Sequence, residues 1–318
     1  MKFSGHTMQS TLADRIEIAG VGVHSGAPVA MTLSPADPGT GVVFCRTDFD
    51  DRADAEIRAH HTLVSATDLC TIVGDIAGPS VSTVEHLLAA LSAFGIDNVH
   101  IEIDSAETPI LDGSAQPFVD AIRQVGVKRQ NVARRYVRVR KPVRVEVGKS
   151  FAEIAPHDSF QIDVEIDFDT PLIGRQRIVV DLTQESFCSD LARARTFGFM
   201  KDVESLWAGG YALGASLDNT IVLGDDRIVN PEGLRFEDEF VRHKALDAVG
   251  DLSLAGAPLM GAFRSYRGGH KVNLALLTAL FADQEAWTLE EAASRRLVNG
   301  HGELGARMTA PAFRAEIS

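Results

Sequence analysis

Twice along this 318-residue chain a series of strand-patterned segments gives way to a helix, a strand and a second helix. In the first half RIEIAGVGVH, VAMTLS and GVVFCR are strand-like runs parted by Gly, Pro and Asp turns. They are followed by VSTVEHLLAALSAFG, VHIEI and PFVDAIRQV, in which apolar residues recur at helical, strand and helical spacing. The second half repeats the order with YVRVRKPVRVEV, SFAEIAP, FQIDVEIDF and RIVVDL, then FEDEFVRHKALDAVGDLSL, PLMGAFRSY and VNLALLTALFADQ. Shared order with little shared identity predicts an α+β protein of two similar units, each a sheet backed by two helices. The division falls near GVKRQNVARR, residues 126 to 135, which gives spans of 1–128 and 129–318. The second unit carries extra sequence at roughly 170–214, with a helix expected around SFCSDLARA.

Charge narrows the partners. A formal net charge of −13 argues against a general nucleic-acid binder, which needs clustered Lys and Arg. One stretch departs from this: Arg123 to Lys149 holds ten Lys or Arg and a single acid, Glu146. It reads either as a solvated strand face, in keeping with the alternation of YVRVR, or as a surface for an anionic ligand or a membrane. Cys45, Cys70 and Cys188 are odd in number and form no CxxC pair, which fits a reducing compartment. No segment approaches the ~20 apolar residues of a membrane span, and MKFSGHTMQSTLADR has no apolar signal core. A cytoplasmic location is expected.

Several familiar chemistries fail on inspection. GVGVHSG has Ser25 where a dinucleotide fingerprint needs its third Gly, and a strand-like run follows it in place of a helix. Neither a GxxxxGK[ST] loop nor an HExxH pair occurs. The more informative residues lie on helices. In VSTVEHLLAAL, Ser82 and Glu85 have capping-box spacing, while His86 falls on a small-residue side with Ala89, Ala90 and Ala93. In HKALDAVGDL, His243, Asp247 and Asp251 continue a line from Glu239, opposite the apolar face of Val241, Ala245, Ala248, Val249 and Leu252. Alone, that line reads as a solvated face with Arg242 and Lys244 as surface partners. An imidazole and a carboxylate one turn apart can also hold a divalent metal, and the equivalent helix of the first unit offers His86 as a third ligand. His270 follows two glycines in YRGGHKVN, and Asp251 is a suitable carboxylate to keep it protonated.

With these residues in view, the chain resembles the UDP-3-O-acyl-N-acetylglucosamine deacetylases, zinc amidases of lipid A synthesis. The resemblance runs in order through GVGVHSG, STVEHLLAAL, GIDN, PILDGSA, ARTFGFM, LRFEDEFVRHKALDAVGDL, GAF and GGH. It implies two layered units with the site in the cleft between them. It also implies His86, His243 and Asp247 as ligands of Zn2+, Glu85 as general base, His270 as general acid and Asp251 as the carboxylate orienting it. Thr196 would donate to the oxyanion. Lys244, Phe197, Phe199, His24 and Asp202 would contact a UDP-linked acyl amino sugar, and the segment 170–214 would form the acyl-chain passage. That segment matches least well, and Gly268–Gly269 replaces the more usual Ser-Gly before the histidine. A monomer without nucleic acid is expected, peripheral membrane contact being the one further role open to the basic stretch. Two rivals stand beside this: a zinc hydrolase acting on another amide, and a nucleotide-sugar binding module without catalysis. A binder has no use for Glu85 and His270 together with all three ligand positions.

Overall fold

The structure, a computed structural model, describes residues 7–50 and 55–292. Its helical segments are α1 Glu85–Ala93, α2 Gln116–Val125, α3 Gln184–Ser186, α4 Val203–Ala208, α5 Glu239–Ser253 and α6 His270–Ala282. Strands form where apolar residues alternate: in Pro28–Pro35 the side chains of Val29, Met31 and Leu33 are buried. The first half builds a five-stranded sheet in the order Ile16–Val21, Pro28–Pro35, Val99–Ile103, Val42–Arg46, Glu56–Arg58. Only Val99–Ile103 and Val42–Arg46 run parallel within it.

The second half builds a seven-stranded sheet around Leu259–Tyr266. Ser150–Ala155 pairs antiparallel with it, while Val137 and Arg138 pair parallel with Leu259 and Met260. From Gly261 onward Phe160–Asp167 takes over as the parallel neighbour. Arg175–Asp181 then pairs antiparallel with Phe160–Asp167, so the extra sequence begins as a strand of the sheet. The helix expected around SFCSDLARA is the three-residue α3 followed by a wide turn, Phe187–Leu191, in which the Ala192 N–H donates to the Phe187 carbonyl at 2.8 Å. Phe197–Phe199 pairs parallel with Ile221–Leu223 outside the large sheets.

The α+β layering is as expected. The stretch 126–135, expected to separate the halves, is largely a strand: Val127–Ala133 pairs antiparallel with Met8–Leu12. Pairing satisfies its backbone while most of its polar side chains stay in water. Half of the ten cations of the basic stretch, Arg134, Arg138, Arg140, Lys141 and Arg144, meet acids on other segments. Arg134 bonds Asp97 at 2.7 Å, Arg138 bonds Glu290 at 2.8 Å, Lys141 meets Asp283 at 2.8 Å and Arg144 meets Glu153 at 2.9 Å. That favours the solvated strand face over an anion-binding surface. No helix among the described residues is long and apolar enough to cross a membrane.

One continuous core joins both halves, with Met31, Leu87 and Leu91 from the first and Ile162, Val249 and Leu277 from the second. Its centre is the crossing of α1 and α5. Small residues allow that crossing: Ala89 and Ala90 are fully buried, and a Cβ at Gly250 would stand 2.0 Å from the Glu85 carbonyl oxygen. Only glycine admits such an approach.

Candidate active site

The start of α1 is not built as its sequence suggested. The Ser82–Glu85 capping box does not form, because Val84 occupies the cap and Glu85 is the first helical residue, too early to reach back. Ser82 Oγ donates instead to the Ala106 carbonyl at 3.0 Å. Glu85 is left free to turn inward, where it is buried and its Oε2 accepts the Thr71 N–H at 3.1 Å. Burial raises its pKa above the ordinary carboxylate value, although His270 and His86 oppose the shift.

On α5 the alternative of a solvated face fails, for Glu239 as for the other three residues of the line. Glu239 is 0% exposed, and His243, Asp247 and Asp251 are each 2% exposed, because α1, α6 and the chain near residue 195 cover that side. Glu239 belongs to a buried ion pair: it accepts from Arg195 Nε and from the Arg195 N–H, both at 3.0 Å. The pair fixes the loop that carries the Ala194 carbonyl, which in turn accepts His243 Nδ1 at 3.1 Å.

With Nδ1 engaged, His243 presents Nε2 to the interior. Burial, opposed by Asp247, takes this imidazole down to about 3, so it is neutral and its lone pair is free. Asp247 Oδ1 lies 3.4 Å from His243 Nε2 and 3.5 Å from His86 Nε2. The three residues bring their ligand atoms within 4.8 Å of one another. Asp247 Oδ1 is buried and has no hydrogen-bond donor, whereas Oδ2 accepts Lys244 Nζ at 2.9 Å. An orphaned carboxylate oxygen between two imidazole nitrogens fits a divalent cation.

His270 opens α6 and is also buried. Its Nδ1 lies 2.9 Å from Asp251 Oδ2 and its Nε2 lies 3.7 Å from Glu85 Oε1. Burial opposes protonation, but Asp251 and Glu85 outweigh it and raise the imidazole to about 10. Asp251 accepts two further bonds, from Asn273 Nδ2 at 2.9 Å and from Thr71 Oγ1 at 2.6 Å. Asn273 was within reach of the sequence, standing three residues after His270 on one helix. Thr71, 180 residues from Asp251, gave no signal.

The remaining candidates lie around this centre at different depths. Phe197 is half-buried, its ring centroid 6.3 Å from that of His243 and 5.6 Å from Lys244 Nζ. Thr196 precedes it, held by backbone bonds to Gly113 and Ile221, both 2.8 Å. His24 donates its N–H to Glu107, and its ring stands edge-on to Tyr211. Burial lowers its pKa, and the nearby His270 adds to that against the pull of Glu107. Phe199 packs near Phe168, and Asp202 is exposed at the end of a single turn, Met200–Asp202. A cavity of about 540 Å³ is walled by both halves at the far ends of α1 and α5, and none of the candidate residues lines it.

A layered α+β chain that gathers two histidines and a carboxylate around a cation-sized gap, flanked by a buried carboxylate and a carboxylate-backed histidine, has the outfit of a metal-dependent hydrolase. The family described as UDP-3-O-acyl N-acetylglycosamine deacetylase matches residues 9–282. Relatives named UDP-3-O-acyl-N-acetylglucosamine deacetylase from Brucella ovis, Brucella canis and Brucella melitensis are each 53% identical over 285 residues, covering 89% of this chain and 99% of the relative. The chain belongs to the UDP-3-O-acyl N-acetylglycosamine deacetylase family.

Proposed function

We infer that this chain hydrolyses the acetamide of a UDP-linked 3-O-acyl-N-acetylglucosamine, releasing acetate and leaving the free amine, an early committed step of lipid A biosynthesis. Family membership supports the substrate class. The observation that carries the chemistry is the placing of Glu85 and His270, 3.7 Å apart, beside the group of His86, His243 and Asp247. Those three residues would hold Zn2+, which supplies polarisation of the acetamide carbonyl and acidification of a water toward a pKa of ~7. Glu85, ionised, accepts the water proton. His270, protonated and held through Nδ1 by Asp251, gives the proton of Nε2 to the departing amine, since an amide nitrogen leaves poorly until protonated. Thr196 donates its hydroxyl to the oxyanion.

Lys244, Phe197, Phe199, His24 and Asp202 would contact the substrate, and the region 170–214 would pass the acyl chain. The division into spans 1–128 and 129–318, whose outer ends lie outside the described residues, belongs to the same reading, as do a cytoplasmic location and a monomer. Metal analysis joined to an acetate-release assay on the UDP-linked acyl sugar tests the whole. About one zinc per chain with acetate released is the expected result. Zinc with no release would point to another amide, and neither zinc nor release would point to a binding module.

A further inference from the structure

The loop before Ile72–Gly74 ends in a residue that touches both Glu85 and the carboxylate that holds His270. Leu69 adopts φ +67°, a left-handed conformation unfavourable to a non-glycine residue, and two residues later Thr71 is buried, 2% exposed. Its N–H donates to Glu85 Oε2 at 3.1 Å, and its hydroxyl donates to Asp251 Oδ1 at 2.6 Å. Glu85 stands on α1 and Asp251 on α5, so one residue ties together carboxylates that belong to different halves of the chain.

We propose that Thr71 is a positioning residue that sets the base and the acid relative to one another, its backbone fixing Glu85 and its hydroxyl fixing the carboxylate that aims His270. This rests on the roles proposed above for Glu85, Asp251 and His270. Asp251 has two oxygens to satisfy in a dry environment. Oδ2 is shared between His270 Nδ1 and Asn273 Nδ2, both at 2.9 Å, while Oδ1 takes the Thr71 hydroxyl. Without that hydroxyl a buried ionised oxygen lacks a donor, so the carboxylate rotates toward whatever donor remains. The imidazole it aims then moves with it. Proton transfer to the leaving amine is sensitive to that aim, because donor and acceptor must meet within hydrogen-bond reach.

Thr71→Val removes the hydroxyl and keeps both the shape and the N–H. The expected result is kcat lower on the order of ten- to a hundredfold, with KM and bound metal unchanged, and recovery in Thr71→Ser. In an Asp251→Asn background the same substitution should cost less than about threefold, since the partner it acts through is already altered. Wild-type kcat in Thr71→Val, measured per folded and metal-loaded chain, overturns the proposal. So does a full, multiplicative loss in the Asp251→Asn background. If Thr71→Val does not fold, Thr71→Ala, which sets no apolar γ-carbon against the carboxylate, carries the same comparison. Should Asp251→Asn itself turn over normally, the assignment of Asp251 as the orienting carboxylate falls and this proposal with it. Normal turnover in Thr71→Val alone leaves that assignment standing.

Discussion

At Glu85 and His270 the protein keeps two ionisable groups at opposite settings within one buried space. Burial raises the carboxyl above its ordinary value, and two carboxylates raise the imidazole to about 10. A base must be ionised and an acid protonated, so activity should climb on the acid side as Glu85 loses its proton and fall on the alkaline side as His270 loses its own. A bound dication moves both limbs downward. Glu85→Ala and His270→Ala should each retain metal and lose roughly 10²-fold or more in turnover. Pre-steady-state assays across pH check this, and an alkaline limb that survives in His270→Ala would reassign the acid. Glu239 makes a different contribution at the same scale. Removing Glu239 leaves the buried Arg195 only the half-exposed Glu232 as an acid partner, so Glu239→Ala should cost about 3 kcal/mol in a denaturant titration. Glu239→Gln, which keeps an acceptor for the Arg195 N–H, should cost less.

Among the elements, the crossing of α1 and α5 decides the geometry of the candidate metal group, because His86 comes from one helix and His243 and Asp247 from the other. Gly250 sets how closely they cross. Ala at that position would place a Cβ 2.0 Å from a backbone oxygen that cannot swing aside, so the helices must separate. Gly250→Ala should therefore destabilise by about 3 kcal/mol and weaken metal binding together with it. Unchanged metal affinity with an unchanged melting temperature would show that the crossing has slack. The loop from Ala194 to Phe197 is the third structural support, bonded to His243 on one side and to Gly113 and Ile221 on the other.

For the whole molecule, a metal held by His86, His243 and Asp247 would draw ligands from both halves and so cross-link the fold. Chelation should lower the melting temperature by several degrees, since a cation present at 100-fold over its dissociation constant stabilises by about 2.7 kcal/mol. His243→Ala should make the melting temperature indifferent to chelator, and equal melting of wild type with and without metal would dissociate the site from stability. Much of this architecture was legible in the sequence. The alternation in PVAMTLSP and the helical spacing in HLLAALSA are local properties of the chain, so the order of strands and helices, and the pairing of His243 with Asp247 one turn apart, follow from residues close in sequence. The burial of Glu239, the unused capping box at Ser82 and the tie from Thr71 to Asp251 were not legible. Each depends on what packs opposite: a carboxylate on a helix reads the same whether water or another helix faces it. Only the tertiary structure, by removing water from the α1–α5 crossing, turned a polar stripe into a neutral His243, a carboxylate that raises His270 and an orphaned oxygen on Asp247.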